Sequence, residues 1–342
     1  MKKLAVVVAF FNPFDNDLTR KNLITTVKSL YQAWPDIFVV EVKYKHHNKK
    51  GNAKYTPKEV KHIYLEAESV FFHKERMNNI VCRELAEDYE VVAAFDADIL
   101  FPDRFWPQRI ITTLEEFDLA QCFMESASVF KDDRGDKIRD IVNKSCMYMF
   151  LKQGLLSGSP GGAWAGRKKF WDIGQFDSYV LGSNDSILFD GITGRARGQV
   201  PVQYKKVPTS RPMHDRIIEY TDRMEVIKPI FVRQNVEFQF HTTLTAKRYG
   251  ARHTIMVDFN PDKELEVNKD GLYEWKNPNS NRARLMTEYF EVKDNPEKDW
   301  STAVDCLCIN STPTDAGFIK AGQVIRLPMQ QINNHFRIIW DE

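Results

Sequence analysis

Residues 93–102 read AAFDADILFP. An apolar run from Val91 to Phe95 stops on two aspartates separated by one alanine, then resumes as Ile99-Leu100-Phe101. A short apolar run bounded by polar residues predicts a buried strand, with Asp96 and Asp98 at its carboxyl end. Carboxylates this close repel each other unless a positive charge stands beside them. A hard divalent cation answers that need. Mg2+ and Mn2+ take oxygen ligands, and Mg2+ commonly takes one or two carboxylates while substrate phosphates fill other positions. The competing reading is a plain capping or turn pair.

The pattern around this stretch predicts the fold class. Residues 4–10 (LAVVVAF) form a continuous apolar run ending in Asn-Pro, which predicts a buried strand. Residues 17–34 carry Leu18, Leu23, Ile24, Val27, Leu30 and Tyr31 at helical spacing. Further strands are predicted at 37–43 and 62–65, a helix at 74–86, and a strand at 91–95. Strand and helix alternate, the mark of an α/β protein with a doubly wound, mostly parallel sheet. In such sheets ligands bind beyond the carboxyl ends of the strands. Asn12, Glu41, Asp96 and Asp98 all fall at such ends.

Beyond residue 123 the pattern is less regular. Residues 138–153 read as a helix, 157–166 as a glycine-rich loop around one tryptophan, and 259–283 and 293–300 as loops. Residues 301–342 regain alternation and predict a small β-rich appendage. The implied division is a main domain over 1–258, with halves near 1–123 and 124–258. A loop-rich extension over 259–300 and the appendage follow.

Global properties exclude some classes. The chain has 342 residues, 43% of them hydrophobic, enough for one large domain or two modest ones. A net charge of +1 exerts no global pull toward nucleic acid or an anionic membrane. Five scattered cysteines suggest free thiols in a reducing compartment. Cys306-x-Cys308 reads as alternation on a strand rather than a metal site. The opening MKKLAVVVAFFNPFDND lacks a small-x-small cleavage site and reads as a first strand. No stretch approaches the ~20 apolar residues of a membrane span. The expectation is a soluble, cytoplasmic protein.

Residues 157–185 read SGSPGGAWAGRKKFWDIGQFDSYVLGSND. A glycine loop, an Arg/Lys cluster, a G-x-F-D and a G-x-x-D follow in order. Together with Asp96-x-Asp98, this order resembles the GT-A superfamily of nucleotide-sugar-dependent glycosyltransferases. In that superfamily a strand ends in D-x-D, and a later segment carries the glycine, basic, aromatic and G-x-F-D positions matched here by Gly162, Arg167, Phe170, Gly174, Phe176 and Asp177. An acidic residue follows, matched by Asp185. Upstream, FHKERMNN (72–79) resembles the stretch leading into the helix before the D-x-D strand. The resemblance spans roughly residues 4–255. It implies a GT-A fold with Mn2+ or Mg2+ on Asp96 and Asp98, and with His241, in FHTTLTAKRYGAR (240–252), as the remaining protein ligand. Thr242 stands where a glycine often follows that histidine.

The same resemblance implies roles for other residues. Asn12 and Glu41 border the nucleoside. Lys74, Arg76 and Asn79 line the nucleotide pocket. Lys247 and Arg248, with Arg252, face diphosphate oxygens, Gly162 belongs to the donor-binding set, and Trp164 floors the sugar or acceptor pocket. Asp185 serves as general base if the transfer inverts. Each has a bland alternative: a strand face for Glu41, a helix face for Lys74 and Arg76, a helix cap for Asp185, core packing for Trp164, and a solvated basic face for the late cations. The Q-x-x-R-W motif of processive synthases is absent, so transfer of a single sugar is expected, with a UDP-sugar as the first donor to consider.

The acceptor is less defined. Residues 43–62 (KYKHHNKKGNAKYTPKEVKH) hold seven lysines and three histidines against one acid. They read as a solvated loop or as a grip on a polyanion, with Tyr44 and Tyr55 nearby. The acceptor is then a glycan, or DNA carrying hydroxylated bases. Two other classes remain open. A nucleotidyltransferase would place a glycine-rich basic loop after the first strand, where this chain has FFNPFDND. A non-catalytic nucleic-acid or glycan binder would use the 43–62 lysines and leave the aspartate pair unexplained.

Overall fold

The computed structural model describes residues 1–45, 51–52, 55–131, 137–197, 210–239 and 252–294, together with short strands between 303 and 338. Through the first half the chain alternates as its periodicity predicts. The elements are β1 (Lys2–Phe11), α1 (Asp17–Ala33), β2 (Ile37–Tyr44), β3 (Lys61–Ala67), α2 (Lys74–Leu85) and β4 (Tyr89–Asp96). There follow β5 (Ile99–Leu100), α3 (Trp106–Thr113), β6 (Leu119–Gln121), β7 (Glu125–Lys131), β8 (Lys137–Lys144) and α4 (Cys146–Gln153). Then come β9 (Ala163–Gly166), α5 (Lys168–Trp171), α6 (Asn184–Ile192), a helix over Arg211–Met224, β10 (Pro229–Phe231) and β11 (Asn235–Gln239).

Seven strands form the central sheet in the order β10-β6-β9-β4-β1-β2-β3. β1 runs parallel to both β2 and β4, β2 to β3, and β6 to β10; β9 alone runs antiparallel, between β4 and β6. β1 is buried on both faces because its alternate residues serve two cores. Leu4, Val6, Val8 and Phe10 join Leu23, Val27 and Leu30 of α1 and Trp106 and Ile110 of α3. Ala5, Val7 and Ala9 join Met77 and Val81 of α2. This is why the strand reads as a continuous apolar run rather than an alternating one.

The chain leaves β1 through α1 toward β2 on one side, while β4 lies on the other. The crevice where the strand order reverses therefore opens at the carboxyl ends of β1 and β4. Asp96 is the last residue of β4 and pairs in register with Ala9. The chain then turns through Ala97 and Asp98 into β5, the edge of a second sheet ordered β5-β11-β7-β8. The Gln239 amide of β11 donates to the Asp98 carbonyl at 2.8 Å, fixing that turn between the two sheets.

Three expectations need correction. Residues 138–153 are not one helix. Residues 137–144 pair with β7 across a bulge, and α4 starts only after Ser145, whose extended backbone and side chain cap Tyr148 N. Residues 163–166 are strand rather than loop, because Ala163, Ala165 and Gly166 are small enough to sit between two neighbours. The 259–300 stretch is not merely loop. A hairpin of Leu265–Val267 with Tyr273–Trp275 and a helix over Asn281–Asp294 bury Leu265, Leu272, Trp275, Leu285, Met286, Tyr289 and Phe290 in the same core as α2. Among the later strands, Ala303–Cys308 pairs antiparallel with Val324–Pro328 and with Phe336–Ile338, so the C-x-C lies on a strand.

His73, at the start of α2, is 2% exposed between the rings of Phe71 and Tyr44, and its Nε2 meets the Ser69 carbonyl at 3.2 Å. Burial pushes its pKa down to about 4, against an ordinary value of 6.5. The folded protein thus holds this histidine neutral while the unfolded chain protonates it. The associated stability is complete above pH 6.5 and falls as pH drops toward 4. His73→Gln should remove about 2–3 kcal/mol of the stability lost between pH 7 and pH 4.5, measured by urea unfolding at both values.

Candidate active site

Lys74, the first residue of α2, supplies the positive charge at the aspartate pair. Its side chain is 9% exposed, and its Nζ lies 2.8 Å from Asp185 Oδ2, 3.1 Å from Asp96 Oδ1 and 3.4 Å from Glu75 Oε1. A buried ammonium is tolerated only among compensating charges. Burial alone would push its pKa down, but Asp185, Asp96 and Glu75, in that order, outweigh this and hold it well above the usual lysine value. The converse acts on the acids. Burial, helped by the charges of Asp185 and Asp98 and opposed by Lys74, raises the Asp96 pKa, although its side chain keeps 30% exposure. Burial likewise raises Glu75. One ammonium faces three carboxylates, with Asp98 half-buried one turn residue away.

Asp185 arrives from more than a hundred residues down the chain, in the first turn of α6, where a helix N-terminus favours negative charge. It is not the cap. That position is Ser183, whose backbone is left-handed at φ 76° and whose side chain makes no cap hydrogen bond. Ser183 is instead held by Arg252, whose Nη2 donates to its Oγ at 2.9 Å. Asn184 ties α6 to α2, its amide donating to Glu75 Oε2 at 3.0 Å and to the Tyr179 carbonyl at 3.1 Å. Asp185 Oδ1 is buried without a hydrogen-bond partner among the described residues, and Glu75 Oε1 has only its 3.4 Å ion pair to Lys74.

The glycine loop closes the site from the β9 side. The Asp96 amide donates to the Gly162 carbonyl at 2.8 Å. A Cβ at Gly161 would stand 2.9 Å from Asp185 Oδ2, and one at Gly162, where φ is +103°, would stand 2.2 Å from the Phe238 ring. Glycine here brings bare backbone against a carboxylate on one side and a ring on the other. Trp164 does not floor a pocket. It is 1% exposed in the core, and its Nε1 donates to the Pro160 carbonyl at 2.9 Å, propping the glycine loop from beneath.

Other sequence-expected residues stand further from this cluster. Asn12 closes the turn after β1, donating to the Asn16 carbonyl and accepting from the Asn16 amide. Glu41 is fully buried, and both its oxygens accept from the Asn52 amide, at 2.6 and 2.7 Å. Asn79 is not available to a nucleotide: its amide donates to Gln175 O and Asp177 Oδ2, and its Oδ1 accepts from Gln175 N. Arg76 joins the same latch through Asp177 Oδ2 at 3.2 Å and the Gly271 carbonyl. The G-Q-F-D segment is thereby locked to α2. Arg252 is 8% exposed and engaged with Ser183 and Tyr289 Oη. His241, Lys247 and Arg248 lie outside the described residues.

In the lysine-rich stretch, Lys45 pairs with Glu68, Lys61 with Asp36, and Lys43 sits 3.6 Å from the Tyr64 ring centroid. Tyr44 is fully buried, which removes it from any phosphate grip.

Among the described residues no three acidic, histidine or cysteine side chains are gathered in metal-binding geometry. The residues present nevertheless fit a hard cation. The donors among the described residues are carboxylate oxygens in negative surplus, and Asp185 Oδ1 beside them is orphaned. Sequence reasoning missed Glu75 and Asn184. A signal was present: Lys74, Glu75, Asn78 and Asn79 occupy the buried face of α2, where apolar residues are the rule.

Neither protein-family models nor curated proteins give a match to this chain. Solved structures it is similar to include a candidate nucleotide-diphospho-sugar transferase from Desulfovibrio desulfuricans G20, at 11% identity and TM-score 0.31 over 70% of this chain and 82% of that one. GalNAc-T7 with UDP, GalNAc and Mn2+ is similar at 14% identity and TM-score 0.37, over 70% of this chain and 44% of that one. A mutant Drosophila β1,4-galactosyltransferase 7 with manganese, UDP-Gal and xylobiose is similar at 16% identity and TM-score 0.28, over 57% of this chain and 62% of that one. Among the described residues, no helix is long and apolar enough to cross a membrane.

Gly162→Ala should lower stability by about 2–4 kcal/mol, from left-handed backbone strain and the overlap with Phe238. Chemical denaturation measures this directly, and in a double-mutant cycle Phe238→Ala should cost less in the Gly162→Ala chain than in the wild type.

Proposed function

We propose that this protein is a divalent-metal-dependent glycosyltransferase moving one hexose or pentose from a nucleoside-diphosphate sugar, a UDP-sugar first, to an acceptor hydroxyl. The observation that carries this is the Lys74 ammonium touching both Asp96, at the switch point of the sheet, and Asp185, at the start of α6. Asp96 and Asp98, with His241, would hold the ion. When bound, Mn2+ or Mg2+ supplies Lewis acidity to the departing diphosphate.

The remaining work falls to this chain. Asp185 takes the proton from the acceptor hydroxyl as that oxygen bonds to the anomeric carbon. The bond from that carbon to the diphosphate breaks, so the transfer inverts. Its orphaned Oδ1 has no competing donor to hold it back. Gly161 lets bare backbone pack directly against this carboxylate and so fixes its position. Glu41 shapes the nucleoside side through Asn52 and Asn12 through the β1–α1 turn, while Lys247 and Arg248 receive diphosphate oxygens. The acceptor is a glycan. The DNA reading is less well supported, since Lys43, Lys45 and Lys61 are already engaged. The buried free thiols Cys82, Cys122 and Cys146 suit a cytoplasmic location. The nucleotidyltransferase alternative fits less well, because the turn after β1 is acidic, glycine-free and closed by Asn12.

A thermal-shift panel of UDP-, GDP-, CMP- and dTDP-sugars, with and without Mn2+, tests the donor. One nucleotide should raise the melting temperature in a Mn2+-dependent way, and Asp98→Ala should abolish the rise. No shift with any member would overturn the reading. Asp185→Asn should keep the donor-induced shift but lower transfer by roughly 10²- to 10⁴-fold, measured by sugar transfer to a glycan panel.

A further inference from the structure

Lys74 occupies the place where a positive charge is needed most, and it is held there unevenly. Its Nζ is 3.1 Å from Asp96 Oδ1, closer at 2.8 Å to Asp185 Oδ2, and 5.7 Å from the centroid of the Phe72 ring. The contact to Asp96 can therefore break while Asp185 and the ring face still hold the ammonium, since a cation within about 6 Å of an aromatic centroid is attracted to it. The lysine side chain is a flexible stem carrying a compact charge, suited to such a swing. Around it, Asp185 Oδ1 has no hydrogen-bond partner and Glu75 Oε1 only the 3.4 Å ion pair to Lys74, so the cluster has more acceptors than its one ammonium satisfies.

We propose that Lys74 is an internal counter-ion that competes with a divalent cation for Asp96 and gives way when a nucleoside diphosphate is present. This rests on the metal-dependent reading above and adds an order of events to it. Without nucleotide, the ammonium covers Asp96 and repels a second cation. With nucleotide, the diphosphate oxygens draw the ammonium away, and Asp96 becomes available to the ion. Nucleotide and ion then strengthen each other's binding, and the coupling is reciprocal. The carboxylates are thus neutralised in both states, first by the chain and then by the ion.

The test measures Mn2+ binding by electron paramagnetic resonance and calorimetry, with and without UDP, on wild type and Lys74→Met. Lys74→Met should bind Mn2+ alone at least about tenfold more tightly, because a like charge at this range is gone. UDP should tighten Mn2+ binding in the wild type by a clearly larger factor than in the variant. Because removing one buried charge can unfold the protein, Lys74→Met/Glu75→Gln, which removes one charge of each sign, is measured alongside. It should also bind Mn2+ more tightly than wild type. Equal or weaker Mn2+ binding by the folded variants would overturn the proposal, as would a UDP effect of the same size in all three proteins. Failure of the glycosyltransferase reading is separately visible: tighter Mn2+ binding in the variants with no sugar transfer by the wild type would sink that reading and leave the competition standing.

Discussion

A buried ammonium among carboxylates cannot be removed or neutralised without cost to its neighbours, and much of this molecule is arranged around one. Lys74 binds Asp96 from β4, Asp185 from α6 and Glu75 from its own helix. Removing the ammonium would leave three carboxylates uncompensated in a poorly solvated place, which is expensive. The elements carrying these residues are therefore tied together by electrostatics as well as by packing. The Asn184 amide reinforces the tie between α6 and α2, and Arg252 holds the left-handed Ser183 that aims α6 at the cluster.

The sheet explains why the cluster sits where it does. β1 is buried on both faces, so it forms the centre on which parallel strands accumulate to either side. The reversal of strand order at β1 and β4 leaves their carboxyl ends uncovered by a crossing connection. Asp96 ends β4 there, and the next residues turn into the second sheet. The turn is pinned by Gln239, and the glycine loop is pinned by the Asp96 amide. A site made from strand ends, a helix N-terminus and a glycine loop thus rests on three separately anchored supports.

The residues around the cluster divide by how their polar atoms are used. Asn79, Arg76 and Asp177 satisfy one another and lock the G-Q-F-D segment to α2, which leaves Asn79 nothing to offer a ligand. Trp164 is spent on Pro160 and the core. Asp185, by contrast, keeps an orphaned oxygen. In a buried setting an unsatisfied carboxylate oxygen is costly, and its persistence marks the place where a ligand or ion is expected.

Local pattern in the sequence determined the alternation of strand and helix, the burial of β1 and the placement of Asp96 and Asp98 at a strand end, because these depend on short-range periodicity and on where apolar runs stop. It missed the break at Ser145, since residues 137–144 take their strand character from pairing with β7, and it missed the helix over Asn281–Asp294, whose burial comes from a distant core. Motif order pointed to Asp185 and Lys74 separately. Only the tertiary structure showed that they touch, that Glu75 and Asn184 belong with them, and that Arg76, Asn79 and Trp164 serve as supports. The reason is physical: which charge neutralises which is fixed by distances between segments far apart in the chain, and those distances exist only once the sheet has brought its strand ends and α6 together.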